Sequence, residues 1–286
     1  SQRLITGPVL IVILLMLLWW DETIGSRVLE TTGMRLPAGI VITGLCFVVS
    51  ALAARECAWI LQQRSTKVSG LILTAACWAV LLIAWAAPSN HTHDLPALLL
   101  ALGATWFVSL GWAARSKVVE GATREATATV ALAIYIGGML SFIIMLRTSV
   151  SAWWIAAVVL VVKSCDIGAY FTGLSIGKHK LIPWLSPGKT VEGLVGGLVC
   201  AGVAMWAAVA LLGPPGSTPF TPGWALMAGV LLGGAGQLGD LTMSLLKRDA
   251  GVKDSSHILP GMGGIMDVLD SLLLAAPIAY LLLSSA

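Results

Sequence analysis

Long apolar runs separated by short polar segments repeat along all 286 residues of the chain. A membrane-spanning helix needs about 20 mostly apolar residues. The pattern therefore predicts nine spans, which are Leu4–Trp20, Leu36–Ala54, Gly70–Ala87, Leu95–Ala114, Thr127–Leu146, Ala152–Val162 continuing weakly to about Leu174, Gly193–Leu212, Trp224–Leu246 and Ile265–Leu283. The sixth is the weakest, because Lys163 and Asp166 interrupt it. The first is interpreted as a span and not as a signal peptide, because similar runs follow it.

Composition places the chain in the same class. Hydrophobic residues make up 57% and charged residues 11%, with a mean hydropathy of +0.91, whereas soluble domains carry about 25% charged residues. The expected fold is all-α, a polytopic integral membrane protein of about nine transmembrane helices. Residues 1–150 are predicted to be generic helices that serve as scaffold and as lipid-facing or dimer surface. Residues 151–286 are predicted to be the catalytic region with its cytoplasmic loops.

The basic residues divide unequally between alternate loops. With the N-terminus in the cytoplasm, 14 of the 17 Lys and Arg residues lie inside, and only Arg27, Arg35 and Arg147 lie outside. The positive-inside rule therefore predicts a cytoplasmic N-terminus and an odd number of spans. Ten of the 14 acids also fall inside. That rule does not require acids there, so we expect them to act at the cytoplasmic face.

Two other features indicate little chemistry. The five cysteines are odd in number, include no CxxC pair and mostly lie in apolar runs, so neither a disulfide framework nor a zinc site is expected. The outside segment SNHTHD at residues 89–94 contains an HxHD cluster, which can bind a metal. It is short and isolated, and a solvated turn is the favoured interpretation.

A polar stripe marks the eighth span. If it is helical, Gln237, Asp240, Ser244 and Lys247 follow one another at i, i+3, i+7 and i+10 and share one face. An acid within a span is costly and usually faces a bundle interior or a wet cavity. Snorkelling to the membrane surface accounts for Lys247 but not for Asp240, which lies two turns deeper. Asp240 is therefore predicted to be functional.

A second stripe opens the last span. Asp267, Asp270 and Ser271 share a face and follow Gly263 and Gly264. The helix dipole stabilises acids in a first turn and accounts for one of the two. Two acids on one face beside two glycines, which allow close approach of a backbone or a phosphate, favour a metal site.

A third stripe, formed by Lys163, Asp166 and Tyr170, lies in the sixth span. An internal Lys–Asp pair and a substrate-binding role remain equally open for it.

The inside segment Gly177–Gly193 reads GKHKLIPWLSPGKTVEG. Its GKT resembles a Walker A loop, but Pro183 stands where the first glycine belongs and no strand pattern precedes it, so a P-loop is not expected. The segment still offers side chains suited to phosphate oxygens before a glycine-rich helix, which are Lys178, Lys180, Lys189, Ser186 and Thr190. A basic loop that only sets the topology is the alternative.

Together, these stripes combine carboxylates with many cations at the membrane surface. Carboxylates hold hard cations such as Mg²⁺, and metals with Lys and Arg stabilise phosphoryl displacement. A site within the membrane implies a lipid reactant. The residues thus predict metal-assisted phosphoryl or nucleotidyl transfer to a lipid, without naming the nucleotide.

The stretch from Ser244 to Asp270, SLLKRDAGVKDSSHILPGMGGIMDVLD, resembles the signature of the phosphatidate cytidylyltransferase (CDP-diacylglycerol synthase) family. The matching positions are Ser244, Lys247, Arg248, Lys253, Asp254, Pro260, Gly261, Gly263, Gly264, Asp267 and Asp270. The upstream segments DIGAYFTG, GKHKL, SPGKTVEG and GQLGDLTMS also resemble family elements, so the similarity runs from about Asp166 to Ala276.

This resemblance implies that CTP and phosphatidic acid react to give CDP-diacylglycerol and pyrophosphate. It also implies Mg²⁺ dependence, K⁺ as a candidate second cation, a homodimer in the lipid bilayer and no nucleic-acid partner. The expected location is the cell inner (plasma) membrane, with multiple spans and the active site on the cytoplasmic side.

The resemblance also assigns roles to residues. Asp240 and Asp267 are expected to bind metal. The expected catalytic set is Asp240, Asp267, Lys247, Arg248 and Asp270. The expected substrate-binding set is Asp166, Ser186, Lys189, Thr190, Ser244, Lys253, Asp254, Lys178, Gly263 and Gly264.

Two positions depart from the family pattern. Met262 replaces the usual His and Val268 the usual Arg. Met cannot titrate and Val cannot pair a phosphate, so any role of these positions is in doubt. His257 lies five residues from Met262 and is the nearest possible substitute.

Two alternatives remain. Another lipid enzyme is one, but the DGxxAR and GxxxDxxxD elements of CDP-alcohol phosphotransferases are absent, and product identity would distinguish a lipid kinase. A secondary transporter is the other. It should show broken helices in two repeats, whereas the polar features here lie only in the C-terminal half.

Overall fold

A computed structural model describes residues 3–32, 37–64, 66–86, 94–115, 117, 120–214, 221–256 and 258–284. The elements in these residues are α1 (Arg3–Thr32), α2 (Ile40–Gln62), α3 (Gly70–Ala86), α4 (Asp94–Ala114), α5 (Ala122–Ala133), a π-helical turn (Ile134–Gly138), α6 (Met139–Ser149), α7 (Ala152–Ile176), β1 (Lys180–Ile182), β2 (Ser186–Thr190), α8 (Val191–Leu212), α9 (Pro222–Asp249) and α10 (Ile265–Ser284). The predicted helical class is confirmed.

Seven helical segments within these residues are long and apolar enough to cross a membrane. They are α1, α2, α4, the continuous segment Ala122–Ser149, α7, α8 and α10. Helix α3 is apolar but has only 17 residues. Helix α9 has 28 residues and carries the predicted polar stripe. The protein is therefore a multi-pass membrane protein.

Helix α7 runs without a break through the predicted weak point. Lys163 and Asp166 do not interrupt it, because their side chains pair with 3.0 Å between Nζ and Oδ2 across one helical turn. An opposite charge at i+3 compensates part of the cost of placing each charge on an apolar helix that is long enough to cross a membrane. The span that was expected to weaken after Val162 continues to Ile176.

Glycines bring α7, α8 and α9 into close contact. A Cβ added at Gly197 of α8 would lie 2.6 Å from the backbone oxygen of Cys165 on α7. A Cβ at Gly233 of α9 would lie 2.8 Å from the Cβ of Ala201 on α8. The GxxxG spacings at Gly193/Gly197 and Gly229/Gly233 thus mark close helix packing.

The segment 177–193 contains a β-hairpin that was not predicted from the sequence. Strands β1 and β2 pair antiparallel, with Lys180 opposite Thr190 and Ile182 opposite Ser186. Strands this short show no reliable alternation, and Pro187 and Gly188 disfavour a strand. The hairpin ends at Thr190, whose hydroxyl accepts a hydrogen bond from the Gly193 amide at 3.1 Å and caps α8.

Buried charges join the other ends of the helices. Arg147 Nε donates to Asp21 Oδ2 at 2.5 Å, and a second guanidinium nitrogen lies 3.0 Å from Glu22 Oε2. Asp21 also accepts the Val41 amide of α2 at 2.8 Å, and Glu22 accepts the Ala152 amide of α7 at 2.9 Å. This cluster explains how Arg147 is accommodated on the face predicted to have few cations.

Two further sequence predictions concern the cysteines and the HxHD cluster. All five cysteines are free thiols, four of them buried and Cys200 exposed. No disulfide joins any two of them in this structure. The HxHD cluster falls mostly on residues 87–93, which lie outside the described residues.

Candidate active site

A cavity of about 610 Å³ lies between α7, α9, α10 and the hairpin. Its lining joins residues from widely separated parts of the chain. The polar side chains that line it are Lys163, Asp166, Tyr170, Lys180, Ser186, Lys189, Thr190, Gln237, Asp240, Asp267, Asp270 and Ser271. Residues from all three predicted stripes therefore face one space.

One polar network crosses the cavity from the hairpin to α7. Lys189 Nζ lies 2.6 Å from Asp240 Oδ2 and donates to Gln237 Oε1 at 2.8 Å. Gln237 Nε2 in turn donates to Asp166 Oδ1 at 2.8 Å, and Asp166 Oδ2 pairs with Lys163. Gln237 thus uses both ends of its amide to fix the spacing between a cation and an anion.

A second network surrounds Asp267 in the first turn of α10. Its Oδ1 accepts from Lys247 Nζ at 2.5 Å. Its Oδ2 accepts from the Gly264 amide at 2.9 Å and from the amide and hydroxyl of Ser255 at 3.0 and 2.9 Å. One carboxylate oxygen therefore organises the loop between α9 and α10, while the other holds a cation from α9.

Asp270 lies one turn further along α10 and is 5% exposed. Its Oδ1 accepts from the amide and hydroxyl of Ser271 at 2.6 and 2.9 Å. The Ser271 hydroxyl oxygen lies 3.4 Å from Lys163 Nζ. Asp270 is thus a carboxylate deep in the cavity that forms no ion pair in the described part of the chain.

A family model described as the cytidylyltransferase family matches residues 1–286. The chain belongs to the cytidylyltransferase family. The resemblance inferred from the signature is therefore confirmed, and it extends beyond the segment in which it was recognised.

Named relatives agree with this assignment. The chain is 44% identical to a phosphatidate cytidylyltransferase of Bacillus subtilis strain 168 over 156 residues, covering 53% of this chain and 56% of that protein. It is 33% identical to a phosphatidate cytidylyltransferase of Staphylococcus aureus strain COL over 251 residues, covering 87% and 92%. It is also 46% identical to the uncharacterized protein YnbB of Escherichia coli strain K12 over 118 residues, covering 41% and 38%. The chain thus spans 38% of YnbB, 56% of the Bacillus protein and 92% of the Staphylococcus protein.

The structure brings seven of the residues expected in the site to the cavity wall, which are Asp166, Ser186, Lys189, Thr190, Asp240, Asp267 and Asp270. Lys247 joins them through Asp267. The others do not line the cavity, and they are Lys178, Ser244, Arg248, Lys253, Asp254, Gly263 and Gly264. Lys178, Arg248, Lys253 and Asp254 are exposed. The Lys163–Asp166 pair is an internal ion pair that also lines the cavity, whereas its substrate-binding role stays a prediction.

Local packing accounts for the two glycines before α10. Gly263 has a φ of +94°, a conformation that residues with a Cβ rarely adopt. A Cβ at Gly264 would meet the Ser255 hydroxyl and the Glu56 carboxylate, the latter at 2.6 Å from Oε1. In this structure a carboxylate from α2 approaches Gly264 closely.

Sequence reasoning did not assign a role to Glu56, which lies under this loop. The second span was predicted to end at Ala54, which placed Glu56 in a solvated loop. The helix continues to Gln62, and Glu56 is only 4% exposed. A helical pattern extended past Ala54 would have shown an acid on an otherwise apolar face.

The donor set of the cavity suits a hard cation. Asp166, Asp240, Asp267 and Asp270 present only oxygen ligands, which Mg²⁺ prefers. Among the described residues, no three Asp, Glu, His or Cys side chains converge as a complete metal site. Mg²⁺ is usually held by one or two carboxylates together with substrate phosphates, so a site completed by substrate fits these residues.

Proposed function

We propose that this protein transfers the cytidylyl group of CTP to phosphatidic acid, giving CDP-diacylglycerol and pyrophosphate. The observation that carries the proposal is the convergence of four aspartates and several lysines on one cavity formed by membrane helices. Membership of the cytidylyltransferase family and the names of the Bacillus and Staphylococcus relatives support it.

The reaction is a displacement at the α-phosphorus of CTP. An oxygen of the phosphatidic acid phosphate forms a bond to that phosphorus as the bond to the bridging oxygen of the β-phosphate breaks. The electron pair of the broken bond leaves with pyrophosphate. The attacking phosphate is already ionised, so the site needs no strong general base.

Lysines of the cavity supply positive charge for the phosphate groups. Lys189 and Lys247 each hold an aspartate through a single ion pair, and Lys163 and Lys180 also reach the cavity region. A polyphosphate offers these ammonium groups more negative charge than one carboxylate does. If Lys189 and Lys247 pair with phosphate oxygens instead, Asp240 and Asp267 become free to act as metal ligands.

We propose Mg²⁺ as the cofactor, held by Asp240 and Asp267, with K⁺ as a second cation. When bound, Mg²⁺ neutralises polyphosphate charge and stabilises the leaving oxygen. Asp166 and Asp270 line the same cavity and complete its negative surface.

The lipid substrate is favoured by the apolar side of the cavity. Tyr170 and Leu174 of α7 line it and are 65% and 73% exposed at the protein surface. On a membrane helix such a surface faces lipid, so the acyl chains of phosphatidic acid can remain in the bilayer while the phosphate reaches the lysines.

For the topology we propose nine spans with a cytoplasmic N-terminus. Helices α3 and α9 would then be spans in addition to the seven segments described above, which include Ala122–Ser149. The basic residue distribution supports this orientation, which puts the cavity on the cytoplasmic side. We further propose the plasma membrane as location and a homodimer as assembly.

Pyrophosphate release by the purified protein in detergent tests the function. With Mg²⁺ and phosphatidic acid present, we expect release with CTP and not with ATP, GTP or UTP. The lipid product should be CDP-diacylglycerol by mass spectrometry. Release without lipid, a phosphorylated lipid product, or solute flux without turnover would contradict the proposal and favour the alternatives.

The same assay addresses Met262 and Val268. The Met262 amide donates to the Leu259 carbonyl at 3.0 Å in the turn before α10, and both side chains are partly buried. Turnover with CTP would show that neither the usual His nor the usual Arg is required here.

A further inference from the structure

Glu56 of α2 accepts four hydrogen bonds from residues 255–266, which include the end of the loop between α9 and α10 and the start of α10. Its Oε1 accepts from the Ser256 hydroxyl at 2.6 Å and the Ile265 amide at 2.9 Å. Its Oε2 accepts from the Ser255 hydroxyl at 3.0 Å and the Met266 amide at 2.9 Å. Both oxygens are therefore satisfied by donors that lie about 200 residues away in sequence.

These contacts explain how a carboxylate is accommodated at 4% exposure. No cation pairs with Glu56 in the described part of the chain. Instead it accepts the Ile265 and Met266 amides at the start of α10, which have no partners within the helix. The positive end of the helix dipole favours a negative charge at this place.

The donors of Glu56 are adjacent to the groups that hold Asp267. Met266 precedes Asp267 directly, and Ser255 gives both its amide and its hydroxyl to Asp267 Oδ2. Gly264, whose amide also binds Asp267, packs against the Glu56 carboxylate. Any movement of Glu56 would therefore displace Ser255 and Gly264, whose hydrogen bonds orient Asp267 so that its Oδ1 faces the cavity.

We propose that Glu56 is a positioning residue, which holds the loop at 255–256 and the first turn of α10 so that Asp267 is presented to the cation and phosphates of the substrate. Glu56 does not line the cavity and acts through Asp267. The inference rests on the proposed function for its catalytic consequence. Its structural part, the anchoring of α10 to α2, does not.

Ser255 adds an electrostatic coupling. Its hydroxyl oxygen lies 3.0 Å from Glu56 Oε2 and 2.9 Å from Asp267 Oδ2, but it has one proton to share between them. Two carboxylates therefore compete for that proton. The charge of Glu56 makes the surroundings of Asp267 more negative, which strengthens the attraction of Asp267 for a cation.

Glu56→Gln is the decisive substitution. Each carboxylate oxygen receives one backbone amide and one hydroxyl, so a glutamine in either orientation turns its NH₂ group toward a backbone amide that can only donate. The change keeps the size of the side chain but removes the charge and the hydrogen bond from one of the two backbone amides, while the serine hydroxyl beside the NH₂ group can turn and accept from it.

The control is Glu125→Gln. Glu125 also accepts a backbone amide, that of Lys67 at 3.1 Å, but it lies on α5 and forms no hydrogen bond or ion pair with α10 among the described residues. Ser256→Ala is a milder variant that removes one donor from Glu56 without touching Asp267.

Two measurements test the proposal: the Mg²⁺ concentration for half-maximal pyrophosphate release, and amide hydrogen exchange by mass spectrometry. We expect Glu56→Gln to raise the Mg²⁺ requirement or lower kcat by about 10–100-fold, as for residues that orient metal ligands. Exchange should become faster in residues 253–268 and stay unchanged in α7 and α8. Ser256→Ala should shift both in the same direction but less, and Glu125→Gln should match the wild type.

Wild-type Mg²⁺ dependence and wild-type exchange at 253–268 in Glu56→Gln would overturn the proposal. Faster exchange throughout Glu56→Gln, together with an unchanged Mg²⁺ requirement of its folded fraction, would also overturn the proposal. Glu56 would then have only a structural role. If Glu56→Gln does not fold, Ser256→Ala decides by the same criteria. A wild-type protein without activity would refute the proposed function, and exchange at 253–268 would still decide whether Glu56 anchors α10.

Discussion

Lys189 of the hairpin and Asp240 of α9 form an ion pair with 2.6 Å between Nζ and Oδ2. The pair joins the β-hairpin to the polar face of a membrane helix. Both partners line the cavity, so a phosphate and a cation would each compete for one of them. Substrate binding is therefore expected to exchange this pair for contacts with the nucleotide.

Lys189→Met should strongly impair turnover. Losing a preorganised cation that faces the phosphates is expected to lower kcat/KM for CTP by about 10²–10³-fold. The assay is pyrophosphate release at varied CTP. The matched control is Lys67→Met, which removes an exposed lysine that lies outside this cavity. Equal losses in both variants would mean that only the general positive charge of this face matters.

Asp240→Asn and Asp267→Asn should both abolish turnover but differ in stability. Asp240 makes one ion pair, whereas Asp267 accepts one lysine and three hydrogen bonds from the loop. Leaving buried donors unsatisfied costs about 1–3 kcal/mol each. Thermal unfolding in detergent should therefore show a lower midpoint for Asp267→Asn than for Asp240→Asn. The reverse order would contradict the organising role of Asp267.

Gly264→Ala should lower activity by steric displacement. Its methyl group would meet Ser255 and Glu56, so the loop must move away from α2. Overpacking of this kind costs about 1–3 kcal/mol. The matched control is Gly234→Ala on α9, where the nearest side-chain atom, from Leu198, would be at an ordinary 3.8 Å. Activity and unfolding temperature should both fall in the first variant and stay near wild type in the second.

Arg147→Leu should destabilise the protein without changing the chemistry of the folded fraction. Asp21 would remain buried without its cation, and breaking a buried pair in this way costs about 3–5 kcal/mol. The cluster bonds to Ala152 at the start of α7, 14 residues from Asp166, which is about 21 Å along a helix.

The double variant Asp21→Asn with Arg147→Leu separates pairing from packing. It should recover part of the unfolding temperature, because the uncompensated charge is gone. Activity per folded molecule should equal that of the wild type in both variants. A lower kcat at equal folding would show that the cluster also influences the cavity.

The helices of this protein were largely determined by its sequence. Apolar runs longer than a bilayer is thick have no other stable arrangement, because backbone groups in lipid must bond within their own segment. Periodicity also put Asp240 and Lys247 on one face, and Asp267 and Asp270 on another, since helical geometry alone fixes which residues share a face. The family signature then predicted the chemistry for which these faces are suited.

Other features were decided only by the tertiary structure. Strands as short as those around Lys180 and Ser186 carry no reliable periodic signal, and their pairing depends on the chain around them. Because α2 extends past Ala54, Glu56 lies within the helix and not in the expected loop, and it makes a buried contact with α10. Contacts between side chains about 200 residues apart depend on how the helices pack. The sequence therefore shows that Glu56, Gln237 and Lys189 are present but does not show which residues each of them contacts.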